Sequence, residues 1–471
     1  MYKKMLLTIG LLICALITAS CGREDSDVLT LNICSWEEYI DEGDWDEDET
    51  IDLPGGDIIG ENSMIEDFED WYLDTYGEKI KVEYSCFGTN EELYNQMTLG
   101  DKFDLVCPSE YMIMKLLNEG KLLEYDESFY DDSIEGNYYA KGVSPYIRDY
   151  VKDIKVENVS INDYVAGYMW GVTGNVYNPE EVSEEDASTW RLMINPEYKY
   201  KVTMKDNVRD AYFAALGMLK SDELIKLNDD YRSGAITFDE YHKLLNQEMN
   251  DNDIATIKAA EDLLQSNKDM FYSFETDNGK SDIVTGKIVT NYQWSGDGVF
   301  AIDQAEEDGV YLNFAVPKEC TNLWFDGWVM LKEGIGSNDR KKLACERFVN
   351  FISRPDNVVR NMYYIGYTSV IAGGDDSTIF DYADWCYGAE DDEEDIAFYS
   401  LDYFFSGDEA ADEYVITAPE EQLKRQLFAQ YPPIDVLQRS SIMEYCGTET
   451  TAELNQMWIN VRCFNPFKRW E

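Results

Sequence analysis

The run LTLNICSWEEYI, residues 29–40, passes from strand-like apolar alternation into Trp36-Glu37-Glu38-Tyr39, and a comparable change recurs four times further along the chain. The later ends carry Ser109 and Tyr111 after LVC, Asp206 and Asp210 after VTMK, Trp294 and Asp297 after IVTNYQ, and Trp324 with Asp326 before GWVML. Helical patterns lie between these runs. One is a capping-box start at Ser63-Met64-Ile65-Glu66, with Ile65, Phe68 and Tyr72 on one face and Gly77 as its stop. A second is capped by Asn90, and another covers 340–352 with Ala344, Phe348 and Phe351 facing inward. Alternating strands and helices predict an α/β fold with a mainly parallel sheet. In open sheets of that kind ligands sit at the carboxyl ends of the strands.

One such end is an ordinary strand terminus; five in one chain imply a cleft walled by indoles and phenols and floored by carboxylates, with no Lys, His or Cys nucleophile among them. Unpartnered buried carboxylates are costly or take up a proton, so a cation is expected to supply their counter-charge. A metal ion calls for several oxygens at ~2.6 Å rather than an aromatic wall. An alkyl polyamine matches both parts: ammonium groups pair with Asp and Glu, and methylenes lie along Trp and Tyr faces. No cofactor is implied. Two other classes stay open, a glycoside hydrolase working with a carboxylate pair in an aromatic cleft and a receptor for another solute.

Charge narrows the partners. With 39 Lys+Arg against 94 Asp+Glu the formal net charge is −55, which repels nucleic acid and anionic lipid and draws cations inward. The chain begins Met1-Tyr2-Lys3-Lys4, runs apolar to Ile17 and reaches Cys21 through Thr18-Ala19-Ser20. That reads as a signal peptide over residues 1–20, and the small residues before Cys21 resemble a bacterial lipoprotein lipobox, with Cys21 lipidated and 21–27 a linker. No later apolar run is long enough to span a bilayer. The remaining cysteines lack C-x-x-C spacing, so a zinc or redox motif has no support. His242, the only histidine, sits in a polar helical pattern and reads as solvated. Residues 41–62 read as a solvated acidic loop; Asp44, Asp46 and Asp48 alternate as in a calcium loop, but Glu49 and Gly55 stand where Gly and Glu are needed. The acidic stretch 375–435 reads as a peripheral elaboration, and residues 164–178 as two extended runs.

The blocks SWEEY, FDLVCPSEYMIMKLLNEGKLLEYD, NPEYKYKVTMKDNVRDAYFAAL, YQWSGDG, LWFDGWVML and FVNFISRPDNVVRNMYYIGYTSV resemble, in order, the spermidine/putrescine-binding proteins that serve bacterial ABC-type importers. The resemblance implies a type II periplasmic-binding-protein fold, two α/β lobes joined by hinge strands. Lobe 1 would take 28–172 plus 325–374, and lobe 2 would take 173–324 plus 375–471. It also implies a non-enzymatic binder, a lipid-anchored monomer outside the cytoplasmic membrane, which captures spermidine or putrescine and offers it to a membrane permease. Matched by motif, the ligand residues are Trp36, Glu38, Tyr39, Ser109, Tyr111, Asp210, Thr276, Trp294, Asp297, Trp324, Asp326 and Tyr367. Asn207 stands where spermidine binders usually carry an acid, with Asp206 as a substitute only if the register shifts.

Overall fold

The opening strand, β1 (Leu29–Trp36), forms from alternating Leu31, Ile33 and their neighbours, with both of these fully buried. It lies between β2 (Ile80–Phe87) and β3 (Leu105–Val106), parallel to both. The computed structural model describes residues 28–46, 49–390 and 393–463; the expected signal segment, Cys21 and the 21–27 linker lie outside the described residues.

Two long strands organise the rest. β4 (Val165–Tyr177) and β8 (Thr321–Leu331) are buried at every position, as strands covered on both faces must be. Between them in sequence come β5 (Val202–Lys205), β6 (Phe271–Glu275) and β7 (Thr290–Trp294). The strand order is β6-β5-β7-β4-β8-β3-β1-β2. β5 runs parallel to β6 and β7, whereas β4 is antiparallel to both β7 and β8. The first part of β4 pairs with β8 from Val165 to Val172, and its last part pairs with β7 from Thr173 to Tyr177. One continuous strand thus serves two groups of parallel strands, where the sequence pattern gave two separate runs. The β4–β8 register shifts between Asp326 and Gly327, a bulge of the kind that re-aims a side chain.

The two helix starts read from capping signals turn out differently. α1 (Met64–Tyr76) has the full Ser63–Glu66 capping box and a left-handed Gly77 at its end. α2 (Asn90–Leu99) is capped by Thr89 rather than Asn90, whose side chain bonds Ser109 instead.

Both acidic segments prove structural. Asp41 is fully buried, accepts from the Trp45 indole at 2.9 Å, and pairs with Arg360 through Nε at 2.8 Å. Residues Ile51–Leu53 and Gly56–Ile58 form a hairpin, so 41–62 is no solvated loop. The stretch 375–435 holds a helix, Thr378–Tyr387, and a hairpin of Ile396–Ser400 with Val415–Pro419. It also buries Tyr399, Leu401, Tyr403 and Phe404. Phe404 stacks on Trp170 of β4 at 5.6 Å, and Thr368 donates to the Gln430 carbonyl at 2.9 Å. Apolar and aromatic residues interleaved with the acids make this segment part of the core. His242 is not solvated either: it is half-buried against Phe238, and burial lowers its pKa.

Candidate functional site

Asp326 sits at the β4–β8 bulge and is 5% exposed. Its two oxygens accept from two hydroxyls, Tyr39 and Ser109, each at 2.7 Å. Tyr39 arrives from the turn after β1, where Glu38 takes a left-handed φ of 53°. Ser109 is held at the start of α3 (Glu110–Asn118) by Asn90, which receives the Ser109 N–H and donates to its Oγ. Burial, resisted by the two hydroxyl bonds, pushes the Asp326 carboxyl up to about 6. Beside it the fully buried stretch of the same helix carries Glu110, pushed by burial up to about 8.

From Tyr39 an aromatic path leads across to a second acid. The Tyr39 ring meets Tyr367 edge-on at 5.6 Å, and Tyr367 meets Trp324 at 5.5 Å. The Tyr367 hydroxyl donates to Asp297 at 3.1 Å. Asp297 lies in the first turn of α6 (Ser295–Glu307), reached directly from β7, after α4 (Val208–Leu219) and α5 (Asn278–Val284). A left-out side chain makes this approach possible: a Cβ on Gly296 would lie 2.4 Å from the Tyr367 ring.

The third acid, Asp210, stands in the first turn of α4, capped by Asn207, whose Oδ1 accepts the Arg209 and Asp210 N–H groups. The Trp294 indole donates to Asp210 at 3.4 Å. Burial, partly offset by Lys205 and that indole bond, pushes the Asp210 carboxyl up to about 6. Tyr111 donates to Glu91 at 3.3 Å and lies 5.1 Å beneath the Arg209 guanidinium.

The expected residues therefore join through contacts from Ser109, Tyr39 and Asp326 to Tyr367 with Trp324 and on to Asp297, whereas Trp294 and Asp210 are linked to Asp297 only through Lys205. Trp36 packs on Phe87 at 4.7 Å, and Glu38 is exposed. Burial works against the Lys280 ammonium, but the charges of Asp297 and Asp277 and the hydrogen bond to Asp297 outweigh it and hold its pKa above the ordinary value, with Glu38 a smaller influence. Thr276 contributes its carbonyl, which accepts from Lys205 at 2.9 Å. Asp206 pairs with Arg462 at 2.7 Å, and Asn207 serves as a helix cap.

The expectation of a cluster without lysine fails. Lys205 ends β5 with its ammonium 3.7 Å over the Trp294 ring and 3.6 Å from Asp297, bonded also to Gln293. Lys280 donates to Asp297 at 3.2 Å. Neither lysine was legible as a site residue, because Lys205 reads locally as a strand-end charge and the segment around Lys280 carries no pattern that sets it apart. Around these residues the buried atoms Trp36 Nε1, Trp324 Nε1, Glu110 Oε2 and Asp297 Oδ2 have no hydrogen-bond partner among the described residues. Chemically the arrangement can hold cationic groups against acids while aromatic faces cover the hydrocarbon between them.

A sequence profile of the family described as bacterial extracellular solute-binding protein matches residues 63–383. The spermidine/putrescine-binding periplasmic protein of Salmonella typhimurium is 25% identical over 370 residues, which cover 78% of this chain and 83% of that protein. The putrescine-binding periplasmic protein SpuD of Pseudomonas aeruginosa is 26% identical over 290 residues, 59% of this chain and 68% of its own. Among solved structures, the spermidine/putrescine ABC transporter substrate-binding protein PotD of Streptococcus pneumoniae superposes with a TM-score of 0.56 at 20% identity, covering 92% of this chain and 98% of that one. The TpPotD lipoprotein of Treponema pallidum gives 0.58 at 16% identity, over 93% and 99%. These structural likenesses establish the type II periplasmic-binding-protein fold that the sequence predicts.

Proposed function

The chain belongs to the bacterial extracellular solute-binding proteins, and from that premise we propose that it captures a polyamine, spermidine or putrescine, for an ABC-type importer. The observation that carries the reading is the setting of Asp326: 5% exposed, bonded to two hydroxyls, and flanked by the Tyr39, Tyr367 and Trp324 rings. A buried carboxylate in that setting favours a cationic partner. Polyamine-binding relatives from several bacteria support the ligand class.

In this reading the negative field of the chain concentrates cations at the cleft. Ammonium groups of the ligand settle against Asp326 and Asp210, with Asp297 and Glu38 adding charge. Trp36, Tyr39, Tyr111, Trp294, Trp324 and Tyr367 enclose the methylenes, while Ser109 and Thr276 offer oxygens. Residues 28–172 with 325–374 form one lobe and 173–324 the other, while the described part of 375–463 lies against both, Phe404 on Trp170 of the first and Arg425 paired with Glu306 of the second. Ligand bridging both stabilises the closed form by its preference for that form, and the closed protein is presented to the permease. Cys21 carries the lipid that tethers a monomer outside the cytoplasmic membrane.

Titration calorimetry of the chain from residue 22 onward with putrescine, cadaverine, spermidine and spermine tests this. Saturable binding of at least one amine is expected. Absence of heat and of any thermal shift with all four would refute the polyamine reading.

A further inference from the structure

Lys205 receives, inside the cleft, the contacts expected of a ligand ammonium. Its side chain is 1% exposed. The ammonium lies 3.7 Å over the Trp294 ring, 3.6 Å from Asp297 Oδ2 and 2.9 Å from the Thr276 carbonyl, with the Gln293 side-chain oxygen also bonded. An indole face, a carboxylate and neutral oxygens are how an organic ammonium is bound. Lys280 reinforces the same acid from the other oxygen at 3.2 Å.

The charge around the three buried acids is therefore uneven. Asp297 faces two lysines. Among the described residues the Asp326 carboxylate hydrogen-bonds to hydroxyls alone, and Asp210 has the Trp294 indole as its hydrogen-bonding partner, with Lys205 and Arg209 acting on it through space. Resting on the polyamine reading above, we propose that Lys205 is a built-in ammonium that fills one cation subsite of the cleft and thereby selects diamines over triamines and tetraamines. Two ammonium groups of a diamine meet Asp326 and Asp210. A third, carried toward Trp294 and Asp297, meets Lys205 and Lys280, and like charges brought together without solvent are strongly unfavourable.

The test compares putrescine with spermidine by calorimetry on the unaltered chain and on Lys205→Met, which keeps the length and removes the charge. The unaltered chain is expected to bind putrescine roughly tenfold or more tightly than spermidine. Lys205→Met is expected to move that ratio toward spermidine by a similar factor. A lysine with a merely structural role would weaken both amines alike and leave the ratio where it was. Should Lys205→Met not fold, Lys280→Met, at a site where the side chain is 21% exposed, is expected to shift the ratio in the same direction. Spermidine bound as tightly as putrescine by the unaltered chain, or an unchanged ratio in the folded variants, overturns the inference and leaves polyamine capture standing. Failure of the unaltered chain to bind either amine overturns both.

Discussion

Replacing Asp326 with Asn separates what the carboxylate does for the fold from what it does for a ligand. In the folded chain burial raises this carboxyl from an ordinary 3.8 to about 6. A shift of about two units corresponds to about 3 kcal/mol held against the ionised form. Because the folded value lies above the unfolded one, the protonated group favours folding. The cost is absent below 3.8, grows as pH rises between the two values, and is complete above 6. Asn is neutral and can keep one of the two hydroxyl bonds as acceptor and turn the other hydroxyl into an acceptor of its amide. At neutral pH the ligand-free Asp326→Asn chain should thus unfold at a denaturant midpoint no lower than the unaltered chain, an advantage that disappears in acid. Binding moves the other way. Loss of one member of a desolvated charge pair costs about 2 to 5 kcal/mol, a weakening of roughly 30-fold to several thousand-fold in Kd. Calorimetry with putrescine and urea unfolding followed by tryptophan fluorescence read the two effects. Binding within about threefold of the unaltered chain, or a marked loss of ligand-free stability at neutral pH, would show that the reasoning about Asp326 is wrong.

Affinity for a diamine should fall as pH drops through about 6, since Asp326 and Asp210 are both raised to that value and must be ionised to pair; the limiting slope is about two decades in Kd per pH unit, and a flat profile from neutral to acid would refute it. Gly296→Ala puts a methyl 2.4 Å from the Tyr367 ring, so stability should drop by about 1 to 3 kcal/mol and ligand affinity with it, measured by urea melts and titration; a neutral outcome would mean that ring is free to move. Arg360→Met strands the buried Asp41 carboxylate, which Arg360 meets at 2.8 and 2.5 Å; an unfolding free energy lower by about 3 to 5 kcal/mol is expected, and a change below about 1 kcal/mol would show that water reaches that pair.

The strand ends and the acids were legible because each is written locally: apolar β-branched residues, then an indole or phenol with a carboxylate. Ser63, Glu66 and Gly77 specified α1 in the same local way. What escaped depended on distance in sequence or on the sign of a charge. Nothing near Asp41 announces Arg360, 319 residues away, and an acidic run read alone looks solvated. Over 375–435 the density of Asp and Glu masked Tyr399, Tyr403 and Phe404, which supply burial. Lys205 escaped because strand periodicity tells which face a residue occupies but not whether that face opens on water or on a cleft.

Phe404 lies over Trp170 near the midpoint of the strand that pairs on one side with β8 and on the other with β7. A chain shortened after residue 374 would uncover that indole, deprive Thr368 of its acceptor and free Ser144 from the Phe404 carbonyl. The smallest working version of this receptor therefore includes its acidic 375–435 segment, and a tag or fusion partner should leave that region whole.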